Sequence, residues 1–256
     1  MVLVVSNIAN EAAATLVDEF PPGCAALITA SNFYQSFKLG VGVNAFSASR
    51  LTINGREMAA ADITGVVCTI TNFFPQEFYY IQPADRQYVC AEMNAFFTYF
   101  LHELACKKIN PPSVRSFSGL CLHKMEWLKK AHALNIPVWP LRLKNGTHEG
   151  ETQNMDAITV CKYTIISGQM VGSKPPPAVQ GYLHALQHAF CLPYLQAFFV
   201  ATSDGAYHLA DLLSVPAISS PVNRAAIIQF FSKNNVYDSF MGPEGRRTDG
   251  YGAHSA

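Results

Sequence analysis

The sequence predicts an α/β fold, with an open α/β sheet at the amino-terminal end and a smaller α+β block behind it. Two observations carry this. The first half holds short, wholly apolar runs such as Val2-Leu3-Val4-Val5 and Gly65-Val66-Val67-Cys68 between amphipathic helical patterns, which is how strands buried on both faces of a partly parallel sheet read. From Ile158 the texture changes to strand-like alternation, broken by the turn pairs Ser167-Gly168 and Asp204-Gly205.

The elements follow in order. Residues 2–5 form a strand, Ser6 and Asn7 a turn, and Ala13, Leu16, Val17 and Phe20 the apolar side of a helix. Further strands fall at 25–29, 40–43, 50–53 (closed by the Asn54-Gly55 turn signal) and 65–70. The longest helix lies within 83–107, where Val89, Met93, Phe96, Phe97, Phe100 and Leu104 recur at the spacing of one buried face. Pro83 and Asp85 suit its start. Lys107 and Lys108 add positive charge near its end, and Asn110-Pro111-Pro112 forbids continuation. A second helix spans about 120–134 and ends at Asn135. Beyond 158 the order is a strand pair at 159–170, a helix from Pro177 to about Phe190, a hairpin over 196–212 and a helix at 221–232. Residues 234–256 lack apolar periodicity and read as a mobile or partner-ordered tail.

Composition narrows the function classes. The chain has 256 residues, and no stretch of 18 uninterrupted apolar residues occurs in it, so no membrane span is expected. Lys plus Arg and Asp plus Glu balance at 18 each, which leaves no basic footprint for a nucleic acid. Charged residues make up only 14%, against roughly 25% in an ordinary soluble domain, which reads either as a face covered by another protein subunit or a second copy or as a compositional bias of the source. Seven cysteines without a CxxC pair read as reduced, mostly buried thiols of a cytoplasmic protein. The first residues carry neither a basic leader nor a small-residue cleavage site, so no signal peptide is read there.

Three strings resemble the ATP-grasp superfamily, particularly its peptide-modifying and natural-product ligases. The first is Gly65-Val66-Val67 followed by Asp85-Arg86-Gln87-Tyr88 and Ala91-Glu92-Met93-Asn94-Ala95, which looks like a sheet strand and the long helix of the domain preceding the nucleotide site. The second is Ile109-Asn110-Pro111-Pro112 followed by Asn135-Ile136-Pro137-Val138. The third is the block at 159–216.

The resemblance implies a pre-ATP-grasp-like domain over 1–140 and a reduced ATP-grasp-like block over 158–233, with a tail at 234–256. A linker at 141–157 stands where active members have a nucleotide-holding subdomain, and it is too short for a four-stranded sheet. The family's last core strand carries an acidic residue and, two positions on, an asparagine, because magnesium needs hard oxygen ligands on one strand face. Here Asp211 takes the acidic position and Leu213 the other. The implied protein is a non-catalytic accessory or structural subunit, a pseudoenzyme with no bound cofactor, whose partner is a protein. The alternative is an ATP-dependent carboxylate-amine ligase with a minimal or shared active site. Asp85, Arg86 and Glu92 are candidates for the cleft where the family binds its acceptor, and otherwise serve as helix-start charge and an exposed ion pair.

His184 and His188 lie one turn apart on a helix, which is metal-ligand spacing if a third donor such as Cys191 or His208 approaches, and otherwise marks a half-exposed helix flank. His102 and Cys106 have base and thiol spacing on a continuous helix, but no third group to orient them is evident.

Overall fold

The computed structural model describes residues 1–36, 50–53, 55–121, 123–140 and 159–232. The expected strand at 40–43, the linker at 141–157 and the tail at 234–256 lie outside these residues. Two four-stranded sheets organise the described residues. The first is parallel, in the order β2-β1-β5-β6, and comprises β1 (Val2–Val5), β2 (Ala25–Ile28), β5 (Gly65–Cys68) and β6 (Lys107–Ile109). The second is antiparallel, in the order β10-β9-β7-β8, and comprises β7 (Thr159–Ile166), β8 (Gln169–Val171), β9 (Tyr194–Ala201) and β10 (Tyr207–Leu213). A hairpin of β3 (Arg50–Ile53) and β4 (Arg56–Ala59) stands beside the first sheet.

The apolar runs of the parallel strands serve two cores. Leu3, Val5, Val66 and Cys68 face a core completed by α2 (Ala30–Ser36) and α3 (Arg86–Glu103), while Val2, Val4, Val67 and Ile109 face one completed by α1 (Glu11–Glu19) and α6 (Pro221–Ser232). Under α3 the filling is aromatic. Phe33, Phe73, Phe97 and Phe117 are all at most 2% exposed, with ring centroids 4.8 Å apart for Phe33 and Phe97 and 5.0 Å for Phe97 and Phe117. Each such ring contributes roughly 1.5–3 kcal/mol by leaving water, which is why this face tolerates no charge.

The second sheet packs one face on α4 (Lys124–Ala133) and α5 (Pro177–Phe190). Trp127 and Ala131 of α4, with Ile136 beyond it, share a core with Val179, Leu183, Leu186 and Phe190 of α5 and with Ile165, Ala197, Phe199 and Leu209 of the strands. α4 starts on a reciprocal cap, the His123 N–H donating to Glu126 Oε2 at 2.9 Å and the Met125 N–H to His123 Nδ1 at 3.4 Å. Beyond α4 the Trp139 N–H donates to the Leu209 carbonyl and the Leu209 N–H to the Pro137 carbonyl, both at 2.8 Å, so 137–139 runs along the outer edge of β10.

The sheets meet at Tyr194 and Ile166, which enter the core beneath β1 and α6. Asn110 fastens the junction. Fully buried and at φ +60°, its side chain accepts from the Tyr194 N–H at 2.8 Å and donates to the carbonyls of Tyr194 and Ser214. Gly119 makes room for it, since a Cβ there would lie 2.8 Å from Asn110 Cβ. α6 is the second fastening. Arg224 donates to Glu19 Oε1 of α1 at 2.8 and 2.9 Å, and Phe231 lies against Gly65 so closely that a Cβ on Gly65 would meet its ring at 2.5 Å.

Three local expectations are corrected. α3 starts at Arg86 and ends at Glu103, so Pro83 precedes it, while Lys107 and Lys108 belong to β6; Lys108 still serves the helix end by donating to the Leu104 carbonyl. Cys106 lies past the end of α3, so it is not one helical turn from His102. The cysteines are all free but not mostly buried. Only Cys68 and Cys90 are enclosed, whereas Cys24, Cys121 and Cys191 are exposed.

Candidate functional site

The face of the antiparallel sheet turned away from α4 and α5 is the floor of the candidate site. Strand register determines which residues share it. Lys162 pairs Phe198 and Phe198 pairs Asp211, giving one row across three strands, while Thr164, Gln196 and Leu213 give the next. A bulge between Leu209 and Asp211 makes this arrangement possible. Leu209 is fully buried among the α5 contacts, and the extra residue rephases β10 so that Asp211 and Leu213 both turn outward.

The inner row is closed by its own hydrogen bond, Gln196 Nε2 donating to Thr164 Oγ1 at 3.0 Å, with both residues buried. The outer row is open: Lys162 and Asp211 are exposed and form no ion pair with each other. One oxygen of Asp211 accepts the Leu212 N–H at 2.9 Å. At the junction end Tyr194 stands with its hydroxyl accepting the Ala217 N–H at 3.0 Å, and burial pushes its phenol up to about 12. Chemically, the floor offers one ammonium, one carboxylate, a carboxamide and an aromatic face, with Leu213 (41% exposed) beside the carboxylate.

A cleft of about 440 Å³ opens at the other margin of the sheet, between β8, α6 and Lys107. Its walls are mostly apolar, with Met170 and Val171 on one side and Val222 and Ala226 on the other. The hairpin forming the first wall is clamped from behind by buried Gln187, whose Oε1 accepts the Gly168 N–H at 2.9 Å and whose Nε2 donates to the Pro193 carbonyl at 2.7 Å.

The sequence-predicted residues are not gathered in one place. Asp85 stands just before α3 and Glu92 on it, both exposed on the parallel-sheet side of the molecule, and no hydrogen bond or ion pair joins them to Asp211. Arg86 makes no ion pair among the described residues. Its guanidinium donates to the carbonyls of Tyr79 and Ile81 at 2.9 and 2.8 Å, holding the loop that enters α3. His184 and His188 are exposed on α5, across the sheet from Asp211, and among the described residues no group of three or more His, Cys, Asp or Glu side chains could hold a metal ion. Lys162, Thr164 and Gln196 were missed at the sequence level. Alternation places Lys162 and Thr164 on one face of β7, but their partners on β9 become visible only with the register.

No family model matches the sequence, and no curated protein matches it. Solved structures do match. The macrocyclase MdnC from Microcystis aeruginosa MRC, bound with its precursor peptide MdnA, superposes with a TM-score of 0.68 at 13% identity, over 90% of this chain and 99% of that one. A RiPP-associated ATP-grasp ligase from Chryseobacterium gregarium, in complex with ADP and a leader and core peptide, gives 0.66 at 10% identity, over 90% and 95%. The ATP-grasp ligase PsnB, complexed with minimal precursor, Mg and ADP, gives 0.62 at 11% identity, over 91% and 98%. Identities this low speak for architecture alone, and the architecture of this chain is that of the ATP-grasp ligases.

Proposed function

We propose that this chain is a non-catalytic ATP-grasp-fold subunit of the cytoplasm, which binds a peptide or protein partner and does not drive ligation. The observation that carries the reading is Leu213. It stands beside Asp211 on the outward face of β10, where a magnesium ion bridging phosphates would take a second hard oxygen from the protein, and leucine has no lone pair to give. The donor set on the floor therefore does not fit a magnesium–nucleotide complex. The sequence reading of 141–157 as a linker, too short for a nucleotide-holding subdomain, supports the same proposal. A peptide-like partner is supported by the relatives: MdnC is bound with a precursor peptide, and the Chryseobacterium ligase with a leader and core peptide.

The test is a thermal-shift titration with magnesium and ATP. No stabilisation is expected at any ratio, and a metal-dependent rise in Tm overturns the proposal. A second reading, an ATP-dependent carboxylate-amine ligase with a minimal or shared site, is favoured by the open pair Lys162 and Asp211 on one sheet face. Release of ADP on adding candidate acids and amines would establish it.

A further inference from the structure

Helix α4 carries charge of nearly one sign. Lys124, Lys129 and Lys130 are exposed along it, with exposed His123 at its cap and His132 in its last turn, against a single acid, Glu126. In a chain whose basic and acidic residues balance at 18 each, that is a local excess. A solvated helix flank ordinarily mixes the signs, with acids pairing to lysines one turn on. Here Glu126, four residues before Lys130, is drawn to the helix start instead, its Oε2 accepting the His123 N–H at 2.9 Å. Helix α5, which covers the same face of the sheet, contains no acid among its 14 residues to offset the excess.

Lys124 opens the helix, so its ammonium meets the positive end of the helix dipole, a placement that costs stability. None of the three lysines has a hydrogen bond or ion pair among the described residues, whereas Arg86, Lys108 and Arg224 are committed to carbonyls or to Glu19. Met125, 49% exposed, adjoins Lys124 and lies one turn before Lys129, which gives the patch an apolar centre. We propose that the solvent side of α4 docks an acidic segment of a partner protein, its carboxylates meeting the three lysines and an apolar side chain resting on Met125. This rests on the reading that the chain binds a protein partner, and adds the place and the chemistry. A polypeptide fits this face better than other polyanions. α4 has no arginine and its one aromatic ring, Trp127, is 2% exposed, so it lacks both the fork that grips phosphates and the platform on which bases stack. Met125 apart, its exposed positions also lack the bulky apolar residues that would enter a membrane surface.

Fluorescence anisotropy of the full chain with a fluorescein-labelled peptide, Glu-Glu-Leu repeated four times, tests it. Saturable binding that weakens with added salt is expected, and none by the same peptide with glutamine in place of glutamate. Lys129→Glu combined with Lys130→Glu should weaken binding about tenfold, by turning attraction into repulsion. Arg56→Glu, an equal change at an exposed site on the β3–β4 hairpin, should leave the affinity within about twofold of the parent. Lys124→Glu should weaken binding and raise Tm, because it sets an acid at the positive end of the helix; a variant that had merely lost its fold would not do both. Absence of binding, α4 variants that bind as the parent does, an equal loss for Arg56→Glu, a Tm that does not rise in Lys124→Glu, or tighter binding of an oligothymidylate or of phosphatidylserine vesicles would each overturn the proposal. A magnesium- and ATP-dependent rise in Tm would overturn the non-catalytic reading and leave this face in place, while failure of the peptide leaves that reading untouched.

Discussion

Glu77 shows what one incompletely satisfied side chain does. It closes the short turn after β5, one oxygen accepting the Phe74 N–H at 2.8 Å, while its other oxygen is buried with no hydrogen-bond partner among the described residues. Burial pushes this carboxyl above its ordinary value, and the Phe74 N–H only partly pulls it back. The folded chain therefore holds the proton more tightly than the unfolded chain, so the contribution to stability is fully present below the unfolded pKa and is lost as pH rises through the folded one. Glu77→Gln keeps an acceptor for Phe74 and removes the charge. Its Tm should match that of the parent in acid and exceed it increasingly as pH rises from roughly 4 to 7. A constant offset across that range would mean that the carboxyl titrates normally. No sequence pattern marks Glu77, because its burial comes from the packing of α3 over the turn.

At the scale of elements, Gln187 decides how firmly one cleft wall is held. It is the buried polar residue in the apolar stripe of α5, and it joins the turn of the β7–β8 hairpin to the entry of β9. Gln187→Ala leaves the Gly168 N–H and Pro193 carbonyl without these partners, at a cost of about 2–3 kcal/mol. Amide exchange at 167–171 should accelerate more than in the centre of β9; a uniform change would show that the clamp is not local. The bounds of α5 were legible in the sequence, because a proline opens it and its apolar residues keep one period to Phe190. The hairpins at Gly168 and Gly205 were legible for a similar reason, each turn holding a glycine at positive φ. The allegiance of α4 to the second sheet was not, since its apolar positions say that a face is buried and not against what. The same holds for the floor of the candidate site. Asp211 and Leu213 were readable as strand neighbours, but Lys162 and Gln196 joined them through a register that no local pattern encodes.

Over the whole molecule, the two sheets are coupled by few but deep contacts: Asn110, Tyr194 and the last helix. Asn110 reaches a residue 84 positions away, and Arg224 one 205 positions away, spans that no short-range signal carries. Trp127 and Trp139 are the two tryptophans of the chain and both belong to the antiparallel-sheet side, so their fluorescence reports that half while far-UV circular dichroism reports both. In urea the two signals should coincide for the parent protein. Asn110→Ala should lower stability by about 2–4 kcal/mol and pull the curves apart; coincident, unshifted curves would show that the junction is carried elsewhere. The strap at 137–139 has a bearing on dissecting this protein. A fragment begun after it would bare the flank of β10 as a ready template for foreign strands, so the second half is expected to precipitate when expressed alone unless its upstream segment travels with it.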